Sequence, residues 1–460
     1  MTESVIHDVV VIGAGVVGSA ISRHLAGFAL DVVTVEARRD VGDGTSKANT
    51  AILHTGFDAS PGTLESRLVH QGYLMLRAYC AQTGIPMETT SALLVAWDDE
   101  QLASLPTLQD KARKNGYDET HIVDADHVYA TVPDLGPGAL GGLVVPGESI
   151  ICTWTTSLAL ATDAVNRGLD LRLETAVTGI DVGAASTVVH TTQGDIETRW
   201  VVNAAGLGGD TIERMLGFER FTLNPRRGEL LVFDKLAGPK VPVIVLPVPS
   251  KVGKGVLVSP TIYGNVMVGP TAEDMEDRAD TATTEEGFAF LREKGGQLMP
   301  SLMTEEVTAA YAGLRAAHDQ SDYVIEADAE KRYVVAGCIR STGLTSSMAV
   351  AEHVADLLAH AGLSLVARDD LPEAPSMPPI GEHQLRPYAD DERIEGDPAY
   401  GSVVCFCERV TEGEIRDALA ATIPARDLGG LRRRTRAHNG RCQGFFCGAR
   451  LTALLEEASS

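Results

Sequence analysis

No apolar run in this 460-residue chain approaches the ~18–20 residues that a membrane span needs. The opening residues Met-Thr-Glu-Ser-Val carry no basic group, and an apolar strand-like run follows at once. No secretory leader is therefore expected, and the reading is cytoplasmic. Basic residues are scarce: 39 Lys and Arg stand against 63 Asp and Glu, a formal charge of −24. That balance excludes nucleic acid as a partner, because nucleic-acid affinity rests on neutralising phosphates. It does not exclude a small anion, which a local Arg cluster can hold. Seven cysteines, an odd count without a leader, argue against a disulfide framework. Repeats and low-complexity tracts are absent. With 44% apolar and 22% charged residues the chain is globular, and its length implies two or three domains.

The strongest signal present is Val9-Val10-Val11-Ile12-Gly13-Ala14-Gly15-Val16-Val17-Gly18, continuing to Asp31-Val32-Val33-Thr34-Val35-Glu36. A buried parallel strand enters a G-x-G-x-x-G turn and a helix, and a second strand ends on an acid. Gly13 serves the turn, Gly15 the approach of a pyrophosphate and Gly18 helix packing, while Glu36 can hold a ribose hydroxyl. The helix N-terminus offers N–H groups and dipole to phosphate. The motif alone does not separate NAD from FAD.

Beyond it lies a polar, Gly-rich loop, residues 42–56, in which 46–53 is expected to open a helix and His54 follows. Thr63 is expected to cap a helix running to about Gly84. A strand at 92–97, a charged helix at 100–116 and a short strand at 120–123 come next. A helix after Trp154, a strand at 170–174 and a meander over 177–202 lead into Asn203-Ala204-Ala205-Gly206, whose small side chains let a nucleotide approach. Long antiparallel strands are expected over 224–245 and 255–269, then a helix at 284–299 and a strand at 331–336. Gly337-Cys338-Ile339-Arg340-Ser341-Thr342-Gly343-Leu344-Thr345 opens a final helix. Residues 366–400 hold six of the 21 prolines and read as a linker.

Taken together, the two Gly-rich turns resemble those of FAD-dependent amine and hydroxy-acid oxidoreductases of the D-amino-acid oxidase type. Within that superfamily, residues 49–62, Pro260-Thr261 through Asp274, Tyr311-Ala312-Gly313-Leu314-Arg315 and 339–345 are most similar to FAD-dependent glycerol-3-phosphate dehydrogenases and oxidases. The resemblance covers most of residues 1–360. It implies an α/β fold in which a Rossmann-like FAD-binding domain (about 1–86, 144–215 and 325–365) is interleaved with an antiparallel-sheet substrate domain (about 87–143 and 216–324). FAD would be held by Gly13, Gly15, Gly18 and Glu36, with Arg38, Thr45, Ser46, Asn49, Val177, Ala205 and Gly206. Gly343, Leu344 and Thr345 would aim a helix N-terminus at the flavin, favouring the negative charge of its reduced form.

In that frame His54 is the general base for a hydroxyl proton, while a hydride passes to flavin N5. Arg315 anchors the substrate anion, and Lys254 is a further catalytic candidate. Arg340, Arg227 and Thr261 are candidate substrate contacts. The implied reaction oxidises a secondary alcohol on a small anionic substrate, sn-glycerol 3-phosphate before others. L-2-hydroxyglutarate, or an amino or imino acid, is the same-class alternative, and a non-catalytic electron-transfer subunit the alternative of another class. Ala316-Ala317 stands where the family commonly has proline, which leaves the substrate open.

Four cysteines, Cys405, Cys407, Cys442 and Cys447, form C-x-C and C-x4-C pairs flanking a helix and the run Leu431-Arg432-Arg433-Arg434-Thr435-Arg436. Four thiolates suit either a cluster or zinc. The arrangement is similar to the bacterioferritin-associated-ferredoxin-like domain, which implies a small helical four-cysteine module at 401–460 binding a [2Fe–2S] cluster. Electrons would leave through it to an acceptor protein or quinone. A partner subunit could attach the chain to a membrane, and an oligomer is open. The Arg run would screen the cluster or the module's own acids, or form a solvated face. Cys80, Cys152 and Cys338 read as inert core thiols.

Overall fold

The computed structural model describes residues 6–249, 255–382 and 384–459. In the fingerprint strand Ile6–Ile12, Val9, Val10 and Val11 are all fully buried. Successive side chains point to opposite faces, so only a sheet covered on both sides accepts that run. Val9 and Val11 meet Ile21, Leu25, Leu160 and Val350 from the helices Val16–Leu25, Thr153–Asn166 and Gly343–His360. Val10 and Ile12 face the other way, onto Ile180, Val189, Ile212 and Tyr333.

The sheet has eight strands. Ile6–Ile12 lies between Val32–Val35 and Ile196–Asn203, parallel to both, and Asp170–Arg172 extends it beyond Val32–Val35. The meander Val177–Val182, Thr187–Thr191 adds antiparallel strands beside Ile196–Asn203. Tyr333–Gly337 pairs parallel with the far end of that strand.

A second sheet of nine strands forms the other layer. Its spine is the ten-residue strand Asn224–Phe233, paired antiparallel with Val307–Ala317 from Asn224 opposite Ala317 to Phe233 opposite Val307. One pair departs from the antiparallel expectation: Ile244–Pro247 runs parallel to Ala92–Ala96. The long strand expected over 224–245 breaks at Asp234, whose carboxylate accepts from Leu236 N and opens a 3-10 turn at Lys235–Lys240. A small third sheet joins the layers, with Ser149–Ile151 between Ile52–Leu53 and Met87–Thr89.

Residues 366–400 are not a free tether. Arg368 donates to Arg167 O (2.5 Å), Met377 N to Thr83 O (2.7 Å), and Ile380 enters the core of the second sheet. Apolar and charged anchors at intervals convert a Pro-rich stretch into a strap. Beyond it the C-terminal module packs Ile415, Leu431 and Leu451 with Cys405 and Cys447 from the helices Glu412–Ala420, Leu428–Thr435 and Gly448–Ser459. Thr411 and Glu414 close a reciprocal capping box at the first of these.

Candidate functional site

The nucleotide cradle follows from its glycines. Gly13 sits at φ +103°, and a Cβ there would stand 2.6 Å from Ala204 O; one on Gly18 would collide with the Gly13 carbonyl. The helix Val16–Leu25 has no side-chain cap at Gly15, so its dipole end is open except for Ser46 Oγ, which accepts from Val16 N at 2.9 Å. Glu36 accepts from Ala14 N (2.8 Å) and Arg38 N (2.9 Å), which fixes its carboxylate beside the turn. Ala205 and the positive-φ Gly206 follow the neighbouring strand end, and Val177 opens the meander. An open helix N-terminus, backbone without side chains and an oriented acid fit an extended dinucleotide. Gly18→Ala is expected to yield protein purified largely without flavin, read as the ratio of visible to ultraviolet absorbance.

The loop after the cradle differs from expectation. Residues 46–53 form a 3-10 turn (Thr45–Lys47) and the two-residue strand Ile52–Leu53 instead of a helix. The cause is side-chain competition for the backbone. Asn49 donates to Ser46 O (2.9 Å) and accepts from Ala51 N (2.7 Å), Thr153 Oγ1 donates to Ser46 O (2.6 Å), and Ala51 is held at φ +52°. Thr45 Oγ1 donates to Leu314 O (3.0 Å) and Tyr311 Oη to Asn49 O (2.9 Å), binding the loop to the strand Val307–Ala317.

His54 leaves this loop beside the second Gly-rich turn. Its N–H donates to Thr345 Oγ1 (3.0 Å), in the first turn of Gly343–His360, so Gly343, Leu344 and Thr345 adjoin the histidine. Its Nδ1 lies 2.9 Å from Oε2 of Glu148, a fully buried carboxylate that also accepts from Thr55 N (2.7 Å) and Thr55 Oγ1 (2.9 Å). Sequence reasoning missed Glu148. Only the pairing of Leu53 with Ser149 places the two side by side, 94 residues apart.

Arg315 projects from Val307–Ala317 and donates to Thr271 O (2.7 Å). Among the described residues it has no carboxylate partner, and burial followed by the charge of Arg226 lowers its pKa. The neighbouring candidates fare differently. Arg227 is 5% exposed and held by Glu273 (2.6 Å) and Asp280 (3.3 Å). It also pairs in register with Leu314, whereas Arg226 pairs with Arg315, so it points to the opposite face. Its charge is neutralised within the fold. Arg340 is 41% exposed, 3.7 Å from Glu65. The Thr261 hydroxyl is buried without a hydrogen-bond partner among the described residues, in a hairpin whose Tyr263 and Asn265 meet the C-terminal module. Lys254 lies outside the described residues.

In the C-terminal module the four thiols stand as two hydrogen-bonded pairs, Cys407 with Cys442 and Cys405 with Cys447. Backbone N–H groups of Phe446, Gly444 and Phe445 donate to the Cys442 sulfur and hold its pKa below the usual thiol value. Among the described residues no three donors converge on one point. Four thiols gathered in one small module are a donor set that would hold an iron–sulfur cluster, which would supply one-electron transfer there. Phe406, Phe445 and Phe446, 73–85% exposed, flank these cysteines on the outer side. By contrast burial pushes Cys80 and Cys338 up to about 12, and Cys152 hydrogen-bonds Tyr263 Oη (2.8 Å).

The Arg run is no solvated face. Arg434 forms a two-point bridge to Asp40 (2.7 and 2.8 Å), and Arg433 reaches Asp40 (2.7 Å) and Asp43 (2.8 Å). Arg436 pairs with Glu408 of its own module (3.0 Å) and covers the Tyr263 ring at 3.9 Å. The run therefore clamps the module onto the loop that leads into Thr45 and Ser46.

Residues 8–357 match the family model described as FAD dependent oxidoreductase, and 403–457 that of the BFD-like [2Fe-2S] binding domain. A glycerol 3-phosphate dehydrogenase of Caloramator mitchellensis is 36% identical over 97% of this chain and 93% of its own. An L-2-hydroxyglutarate dehydrogenase of Salmonella houtenae is 28% identical over 58% of this chain and 64% of its own. Among solved structures, the dithionite-reduced L-α-glycerophosphate oxidase of Mycoplasma pneumoniae with FAD bound superposes with a TM-score of 0.76 at 26% identity. It covers 81% of this chain and 99% of its own. With its cradle, its oriented histidine and its paired thiols, the chain belongs to the FAD-dependent oxidoreductases of this family and carries a BFD-like [2Fe–2S] domain at its C-terminal end.

Proposed function

We propose that this enzyme oxidises the secondary hydroxyl of sn-glycerol 3-phosphate to the ketone of dihydroxyacetone phosphate. The observation that carries the reading is Arg315, a half-buried cation without a carboxylate partner among the described residues. Such a charge is costly unless an anion joins it, and a phosphate supplies oxygens matching the guanidinium fork. Two lines add support: the Caloramator relative is named for this substrate, and its likeness spans both modules.

FAD supplies the two-electron oxidant and the [2Fe–2S] cluster a one-electron outlet. The chain's residues do the rest. His54 accepts the hydroxyl proton, so that the oxygen's electron pair can form the carbonyl. Arg315 fixes the far end of the substrate, which orients the carbinol C–H. The N-terminus of Gly343–His360 favours negative charge beside it. No helix among the described residues is long and apolar enough to cross a membrane. We place the reaction in the cytoplasm, with a carrier protein or quinone receiving the electrons.

A dye-reduction assay with a substrate panel tests the assignment. Glycerol 3-phosphate is expected to exceed L-2-hydroxyglutarate, proline and glycine in kcat/KM by about 10²-fold or more, the discrimination that paired polar contacts give. A reversed order moves the substrate to the winning compound. Arg315→Met is expected to lower kcat/KM by about 10- to 150-fold, the worth of one charge-assisted contact of about 1.5–3 kcal/mol. An unchanged value would place the anion elsewhere.

A further inference from the structure

We infer that Glu148 is the positioning residue for His54, fixing which imidazole nitrogen carries the hydrogen and holding the ring toward the substrate. The inference rests on the reading of His54 as the base. It starts from sheet register. Ile52 pairs with Ile150 and Leu53 with Ser149, so the next pair beyond the end of the two short strands is His54 and Glu148. The approach is therefore built by the sheet and does not depend on a flexible side chain.

The hydrogen-bond inventory then sets the direction. Thr55 N and Thr55 Oγ1 both donate to Oε1, leaving Oε2 for Nδ1 of His54 at 2.9 Å. A carboxylate only accepts, so Nδ1 carries the hydrogen and Nε2 keeps the lone pair that receives a proton. When the substrate O–H bond breaks, its proton passes to Nε2 and its electron pair forms the C=O bond. The carbinol hydrogen leaves with its two electrons to the oxidant. The imidazolium so formed lies against a buried negative charge, which stabilises it where water is excluded.

Other titratable groups face this pair. Tyr73 Oη donates to Gly147 O (2.8 Å), with Arg77 bonded to it from the same helix. His70 Nδ1 lies 3.4 Å from Thr55 O. Tyr117 Oη accepts from Gly147 N (2.6 Å) and is 3.4 Å from Glu119. These hold the turn that presents Glu148, but none of these bonds is to its carboxylate.

The test is stopped-flow flavin reduction by glycerol 3-phosphate across pH in the holoenzyme. In E148Q the amide keeps its oxygen for Thr55 and turns its NH₂ to Nδ1. That forces the hydrogen onto Nε2, so the plateau rate is expected to fall by about 10²-fold or more. The limb on which the rate rises with pH is expected to move to lower pH, because the anion that favoured the imidazolium is gone. E148D, which retains the charge, is expected to keep the limb near its original pH. A lower plateau in E148Q with an unmoved limb makes Glu148 a brace for Thr55 and overturns the proposal. An unchanged rate and limb overturn it as well.

A separate measurement decides the matter if E148Q does not fold. Histidine-selective ¹⁵N spectra of the wild-type holoenzyme, with His54 assigned by its loss in His54→Ala, are expected to show the Nδ1–H tautomer. The Nε2–H tautomer would overturn the proposal. Failure of the underlying reading is distinguishable, because His54→Ala would then reduce its flavin at the wild-type rate whatever E148Q does.

Discussion

Replacing His54 by alanine is expected to slow flavin reduction by substrate about 10²- to 10⁴-fold while leaving FAD bound, the range for losing a positioned general base. The ring contributes little to the cradle: the glycines, Ser46 and Glu36 form it, and the bond to Thr345 comes from the His54 backbone. Flavin content should therefore match the wild type, and the deficit should lie in the single-turnover rate. Raising the pH should recover part of it, since hydroxide can take the proton that the ring no longer accepts. Loss of FAD together with loss of rate would make His54 a structural residue of the loop.

The second large effect is expected at Asp40. This carboxylate is 7% exposed at its side chain, and Arg434, 3% exposed, meets it in two hydrogen bonds while Arg433 adds a third. Asp40→Ala leaves two cations between modules without their common counter-ion, a loss of about 3–5 kcal/mol for a broken buried pair. Undocking should expose the strap at 366–400 to protease and slow electron passage to the cluster, with substrate-driven flavin reduction continuing. The same clamp has a pH signature. Burial pushes the Asp40 carboxyl up, but the hydrogen bonds and charges of Arg434 and Arg433 outweigh it and hold it below the usual carboxylate range. A depressed carboxylate contributes docking stability that is complete above its unfolded pKa of about 4 and is lost as pH falls through the folded value. Protease sensitivity of the strap should rise in that acid window in the wild type and be flat with pH in Asp40→Ala.

What could be read from the chain and what could not divides along sequence separation. The fingerprint was legible because strand, turn, helix and acid are contiguous. The cysteine module was legible because thiol spacing is local too. Glu148 was invisible: a Gly-Glu between strands looks like a turn until a strand 94 residues away pairs beside it. The Arg run was legible in part: Arg436 meets an acid of its own module, Glu408, but the partner of Arg434, Asp40, lies 394 residues upstream. Residues 46–53 had helical-looking composition, yet Asn49 and Thr153 take the backbone groups a helix would use. Arg227 and Arg315 are indistinguishable as residue types, and the pairing of strand 224–233 with 307–317 assigns them to opposite faces.

The central claim is that one chain takes two electrons from glycerol 3-phosphate at a flavin and passes them through the four-cysteine module. Anaerobic titration of the holoenzyme with this substrate, followed by visible absorbance and electron paramagnetic resonance, tests it most directly. The account predicts bleaching of the flavin band near ~450 nm, together with the signal of a reduced [2Fe–2S] cluster that disappears in Cys442→Ser. A flavin band left unbleached by saturating glycerol 3-phosphate, in protein shown to contain FAD, would contradict it.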